Sequence, residues 1–352
     1  MGTEIENLQE LLKEDPSNFQ ARRELSILLA DNGFNEEALG NLEYLIKYFP
    51  EDSELYYNIG ILYEKLKDLE KAKEAYEKAI SINPQDDFYY NLGEVLVNLE
   101  DWDNAIQAFR TVLSHDPKDG NCYFNLGVCY LNKDEVKQAT DNFQEAIRLN
   151  PDDIYAHFNL GNIYMKSGLT NFAEECFKKV LELSPDYSWA YYNLASIAYE
   201  NGNYDEAERY LKKTIEYNEN DIDAYKLLTK ICIKNEEIED IITILETRLQ
   251  KEENGDLYYI LASVYKYITD EDNYAKCLRG ALANHLTLTF PNDLVRQEYE
   301  SLEGTEDDYE ASGDDFEDEE DDEEYEEEDE SEEDGDYDED FEDGDSEEED
   351  EV

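Results

Sequence analysis

Basic residues are scarce in this chain of 352: 29 Lys and Arg stand against 93 Asp and Glu, a formal net charge of −64. Direct nucleic-acid binding is therefore not expected, because affinity for phosphate requires clustered Lys and Arg. Cysteine is sparse too. Cys122, Cys129, Cys176, Cys232 and Cys277 are odd in number and include no pair at CxxC spacing, which argues against a disulfide frame or a zinc site. No stretch approaches the roughly 20 apolar residues of a membrane span. Met1 to Glu10 lacks the basic and apolar regions of a secretory signal. A cytoplasmic location without membrane insertion is the expectation. There are three histidines, His115, His157 and His285, and no GxxxxGK, GxGxxG or HExxH pattern. No catalytic residue, metal or cofactor is expected, and the reading is a protein that is not an enzyme.

The charge is unevenly spread. Residues 303–352 hold 35 Asp and Glu and no Lys or Arg, leaving 58 acids against all 29 bases in residues 1–302. Such a segment offers too little apolar surface to offset ordering entropy and self-repulsion, so a disordered acidic tail is expected over 303–352. Tyr309, Phe316, Tyr325, Tyr337 and Phe341 punctuate it. An EF-hand reading fails around Gly335, where the loop's terminal carboxylate position carries Phe341.

Proline is also rare, at seven residues, yet six of them keep step: Pro16, Pro50, Pro84, Pro117, Pro151 and Pro185 recur every 33–34 residues. A small residue keeps the same register at Ser26, Gly60, Gly93, Gly127, Gly161, Ala195, Thr229 and Ala262. Alanine repeats it at Ala38, Ala72, Ala105, Ala139, Ala173 and Ala207. Between these marks the apolar residues fall at helical spacing. In one unit Leu160, Gly161 and Tyr164 share one helix face and Ala173, Phe177 and Val180 another, with Ser167-Gly168 as the break and Pro185 as the stop. Gly161 and Ala173 read as small because two helices cross closely there.

These residues resemble the tetratricopeptide repeat family, whose 34-residue pattern is an aromatic, Leu-Gly, Tyr, Ala, Phe, Ala and Pro. The match covers roughly Phe19 to Pro185 and loosens beyond it, where Thr229, Ile241, Tyr274 and Glu219 depart from the pattern. The resemblance implies an all-α solenoid, a right-handed superhelix of antiparallel helix pairs. An N-terminal half-repeat helix is read over 1–18 and eight repeats over 19–288. A capping helix over 289–302, with Asp293 as its N-cap, closes the stack.

The resemblance also implies that the first helix of each pair lines a concave groove. A tripeptide recurs there: Tyr56-Tyr57-Asn58, Tyr89-Tyr90-Asn91, Tyr123-Phe124-Asn125, His157-Phe158-Asn159 and Tyr191-Tyr192-Asn193. The first member is read as packing between helices. Asn58, Asn91, Asn125, Asn159 and Asn193 are read as a ladder of amides able to hold a peptide backbone. Tyr57, Tyr90, Phe124, Phe158 and Tyr192 form an aromatic stripe beside it. The alternative is that these asparagines only bond the neighbouring repeat. A basic clamp for acidic C-termini is not expected, since Gln20, Glu54, Asp87, Asn121, Tyr155 and Trp189 occupy the candidate positions and Arg23 is the early cation. Lys226, Lys230 and Lys234 form the one basic stripe, read as a solvated face or a site for the tail or an acidic peptide. The favoured function is a scaffold or adaptor that binds another protein's extended peptide or helix. The alternative is a chaperone-like protein whose tail sequesters a basic client, and a third reading is a regulatory subunit of a separate enzyme.

Overall fold

The computed structural model describes residues 2–303. The expectation for the tail lies outside these residues, apart from Glu303, which ends a helix. After α1 (Gly2–Glu14) come eight helix pairs: α2 (Phe19–Asp31) with α3 (Asn35–Ile46), α4 (Ser53–Lys65) with α5 (Leu69–Ile82), α6 (Asp86–Asn98) with α7 (Trp102–His115), and α8 (Gly120–Asn132) with α9 (Val136–Leu149). Then follow α10 (Ile154–Lys166) with α11 (Thr170–Leu183), α12 (Ser188–Glu200) with α13 (Tyr204–Tyr217), α14 (Ile222–Lys234) with α15 (Ile238–Lys251), and α16 (Gly255–Tyr267) with α17 (Glu271–Ala283). A 3₁₀ turn, His285–Thr287, leads to α18 (Asn292–Glu303). Each helix packs on the next in sequence, so the chain is an all-α solenoid. No helix of the described residues is long and apolar enough to cross a membrane.

Each pair is built from local signals. Six of the helices start on aspartate caps: Asp68, Asp101, Asp119, Asp153, Asp221 and Asp270 each accept the backbone N–H three residues on. The turn between partners always passes through one left-handed residue. Glycine supplies it at Gly33, Gly168 and Gly202, but Lys67, Glu100, Asp134, Glu236 and Thr269 take φ of 58–65° in the other five. The geometry is the same in all of them, since the N–H three residues beyond the helix end closes on a carbonyl five residues back, as Leu169 does to Tyr164 at 2.8 Å. Only glycine announces such a turn in a sequence, so five of the eight were invisible there.

The small-residue ladder has a different cause from the expected helix crossing. A Cβ on Gly60, Gly93, Gly127 or Gly161 would sit 2.5–2.8 Å from the ring of Tyr76, Phe109, Phe143 or Phe177. The glycine makes room for an aromatic sixteen residues on, in the second helix. Where that residue is Leu42, Leu211, Leu245 or Leu278, the small position is instead Ser26, Ala195, Thr229 or Ala262. The loosened pattern toward the C-terminus is therefore a paired exchange, since leucine leaves space that a flat ring fills. The alanine ladder is buried throughout, with Ala38, Ala72, Ala105, Ala139, Ala173 and Ala207 at 0 % exposure.

The last helix begins two residues earlier than a cap at Asp293 implies. It begins at Asn292, directly after Pro291, so Asp293 lies within its first turn and not at the cap. The carboxylate there complements the helix dipole. α18 covers the end of the stack: Val295 is fully buried, and Glu298 accepts from Tyr274 at 2.9 Å and pairs with Lys266 at 3.1 Å.

Candidate protein-docking face

The eight first helices present equivalent residues at equivalent places. The first members of the tripeptide are half-buried, and several of them tie their helix to the proline turn that closes the preceding repeat. Tyr123 donates to the Pro117 carbonyl at 3.5 Å and Tyr191 to that of Pro185 at 3.1 Å. His157 reaches the Pro151 carbonyl through Nε2 at 2.9 Å. A carbonyl can only accept, so Nε2 carries the proton, and the histidine substitutes for a tyrosine hydroxyl.

The second members wedge against the second helix. Ring centroids lie 5.7–5.8 Å apart for Tyr57–Tyr76, Tyr90–Phe109, Phe124–Phe143 and Phe158–Phe177. This stripe is half-buried packing with one edge toward solvent. Burial pushes the hydroxyls of Tyr57, Tyr90 and Tyr192 up, helped by Asp87, Glu94 and the Asp223–Asp221 pair respectively.

The asparagines divide according to what the preceding repeat offers. Asn91 Nδ2 donates to the Tyr57 hydroxyl at 3.1 Å and Asn125 Nδ2 to that of Tyr90 at 3.3 Å. Phe124 and Phe158 have no hydroxyl. Asn159 therefore turns to the Tyr155 carbonyl of its own helix at 2.9 Å, and Asn193 donates to Asn162 Oδ1 at 2.9 Å. Asn58 lines a cleft with Ser26, Ile27, Leu62 and Lys65. Among the described residues, none of the five Oδ1 atoms accepts a hydrogen bond from the protein.

The cations are largely engaged. Arg23 pairs with Asp52 at 2.5 Å. Lys226 pairs with Asp223 at 3.2 Å, and Lys234 lies 3.8 Å over the Tyr204 ring. Lys230 alone of the stripe is exposed without a partner among the described residues.

Three features were not foreseen in the sequence. The first is an aromatic cluster on the fifth and sixth repeats. Tyr155 and Trp189 stand one repeat apart at the second position of their helices, 62 % and 58 % exposed. Tyr187 meets Trp189 edge-on at 5.6 Å and Phe158 at 5.1 Å. The second is that the chain lies across its own last repeat. Asp256, 2 % exposed, accepts from Thr289 N at 2.7 Å and from its hydroxyl, and Gly255 N donates to Thr287 Oγ1 at 2.7 Å. Phe290 then packs on Tyr259 at 4.5 Å with Lys226 5.0 Å over its ring. The third is that Glu208 of α13, Cys232 of α14 and Glu237, in the turn before α15, bring ligand atoms within 4.8 Å of one another. Lys212, 2.6 Å from Glu208, already supplies a positive charge there. The Cys232 thiol is pushed up to about 12 by burial and then by Glu208 and Glu237, so it is an inert thiol at neutral pH.

Residues 96–225 match the family described as the cytochrome c-type biogenesis protein H TPR domain, and residues 53–86 match the tetratricopeptide repeat itself. No curated protein matches. Among solved structures, the C-terminal part of a TPR repeat-containing protein from Cytophaga hutchinsonii is 19 % identical with a TM-score of 0.51, covering 77 % of this chain and 97 % of that one, which supports the fold. MamA from Desulfovibrio magneticus RS-1 is 26 % identical over 49 % of this chain and 97 % of its own, with a TM-score of 0.47. YrrB, described as a TPR protein with an unusual peptide-binding site, is 27 % identical over 52 % of this chain and 95 % of its own, with a TM-score of 0.45.

Proposed function

The chain is a tetratricopeptide-repeat protein, and from that premise we propose that it is a non-enzymatic scaffold whose first-helix face holds an extended peptide or helix of a partner protein. The observation that carries this reading is the state of the asparagine amides. The donor edges of Asn91, Asn125, Asn159 and Asn193 are fixed, two of them by the tyrosine of the preceding repeat, while the acceptor edges of all five face no protein donor among the described residues. Acceptors held at one-repeat intervals suit the N–H groups of an extended backbone, and their rigidity lowers the entropy lost on binding. The half-buried rings beside them add apolar contact without further ordering cost.

A second reading rests on the 35 acids and absent bases of 303–352: an arm that captures a basic client. Two variants separate the readings. Asn91, Asn125 and Asn159 are changed together to Ala, and 303–352 is deleted separately. Partner recovery by affinity purification and mass spectrometry is expected to fall in the triple variant and persist in the deletion. Recovery that survives the triple variant and fails in the deletion rejects the groove in favour of the arm.

A further inference from the structure

We propose that the first-helix face of the fifth and sixth repeats, centred on Trp189, binds an extended basic segment of a partner protein that carries one aromatic side chain. The proposal rests on the scaffold reading and names the place and the chemistry of the guest.

The chain itself shows the mode. Over its last two repeats, the 287–290 segment is held by three first-helix positions. Asp256, at the second position of α16, takes the Thr289 N–H. Tyr259, at the fifth, packs on Phe290, and Lys226, at the fifth position of α14, caps the same ring. A first-helix face of this solenoid therefore accepts an extended strand with an aromatic side chain bridging the fifth positions of two neighbouring repeats.

The same register on the sixth repeat places Trp189 where Asp256 stands, Tyr192 where Tyr259 stands and Phe158 where Lys226 stands. An aromatic guest there meets three rings in place of one ring and a lysine. The second position carries Glu54, Asp87, Asn121 and Asp223 in the second, third, fourth and seventh repeats, so the exposed aromatic pair Tyr155 and Trp189 is confined to this part of the face. Tyr187, packed on Phe158 and edge-on to Trp189, holds the cluster in place before any guest arrives. Large exposed rings fixed in this way are typical anchor residues.

Charge selects the guest's sign. The cation that caps Phe290 in the last repeats has no counterpart here, while the Tyr192 hydroxyl, pushed up chiefly by burial, is pushed further by the negative charges of Asp223 and Asp221. Residues 1–302 hold twice as many acids as bases, and their field favours a basic guest. Arg or Lys flanking the aromatic residue can stack on the faces of Trp189 and Tyr155.

The test uses the full chain and a fluorescein-labelled peptide, Gly-Ser-Arg-Thr-Phe-Lys-Arg-Ser-Gly, followed by anisotropy. Saturable binding is expected, weakened at least about tenfold by Trp189→Ala or by replacing the peptide's phenylalanine with alanine. Both Trp189 and Tyr155 are largely exposed, so Trp189→Ala and Tyr155→Ala keep the fold, which circular dichroism checks. In a Trp102→Phe background, the fluorescence of Trp189 is expected to change on saturation. Binding indifferent to Trp189→Ala, no saturation up to millimolar peptide, or equal binding of an acidic peptide of residues 317–330 would each overturn the proposal. If Trp189→Ala is silent while the triple asparagine variant loses the peptide, this inference falls and the scaffold reading stands. If the reverse holds, the cluster is the recognition centre and the amide ladder is not.

Discussion

The pairing of glycine with a ring sixteen residues on makes a prediction whose sign depends on background. In Gly127→Ala the new Cβ would lie 2.7 Å from the Phe143 ring, whereas carbon atoms pack comfortably at about 3.5–4.0 Å. Phe143 is fully buried, so its ring cannot swing into solvent, and the helices must part by a large fraction of an ångström. Overpacking of this kind costs roughly 1–3 kcal/mol. Against it stands about 1 kcal/mol gained on replacing glycine by alanine inside a helix. Gly127→Ala is thus expected to destabilise by about 1 kcal/mol. In a Phe143→Leu background the obstruction is gone, and the same change is expected to stabilise by about 1 kcal/mol, a coupling near 2 kcal/mol. The doubly changed repeat then has the Ala and Leu that the sixth repeat carries at Ala195 and Leu211. Urea unfolding followed by far-UV circular dichroism measures the cycle. Midpoints and slopes are compared together, because repeats unfold as coupled neighbours and a slope change would signal lost cooperativity. If alanine stabilises equally in both backgrounds, the ring is not what keeps residue 127 a glycine.

Thr269 takes a φ of 58° with a β-branched side chain, an arrangement that costs an L-residue roughly 1–2 kcal/mol. Thr269→Gly is expected to raise stability by about 1 kcal/mol in a thermal melt, and Gly168→Thr to lower it; an unchanged melting curve for both counts against strain at the turn. Burial raises the Glu64 carboxyl above the ordinary range, Glu94 adding to the effect and the Tyr76 hydroxyl partly opposing it. A carboxyl with a raised folded pKa binds its proton more tightly folded than unfolded, so it removes stability as pH climbs from the ordinary carboxylate value through the raised one. Glu64→Gln is expected to gain on the wild type across that window and hold the gain above it; parallel pH curves would refute this.

The candidate face was partly legible before any coordinates. The positions of Asn58, Asn91, Asn125, Asn159 and Asn193 could be read because a repeat multiplies one weak signal until its register stands out. Which edge of each amide remains open could not, since that depends on whether the preceding repeat offers a hydroxyl (Tyr57, Tyr90) or a bare ring (Phe124, Phe158). Trp189 and Tyr155 attracted notice only as non-basic residues, because exposure is a property of the assembled surface. The group of Glu208, Cys232 and Glu237 was hidden for the same reason, its members belonging to two helices and a turn.

Periodicity by itself determined the helices, their pairing and the solenoid, because each unit's apolar stripe is complete within 34 residues and can be buried only against the next unit. The tertiary structure decided what the small positions are for, how five turns reach a left-handed conformation without glycine, and that the strand ending at Phe290 lies on the last repeat. Those outcomes depend on distances between atoms remote in sequence. A repeat fixes which residues are equivalent, but only packing fixes what each of them touches.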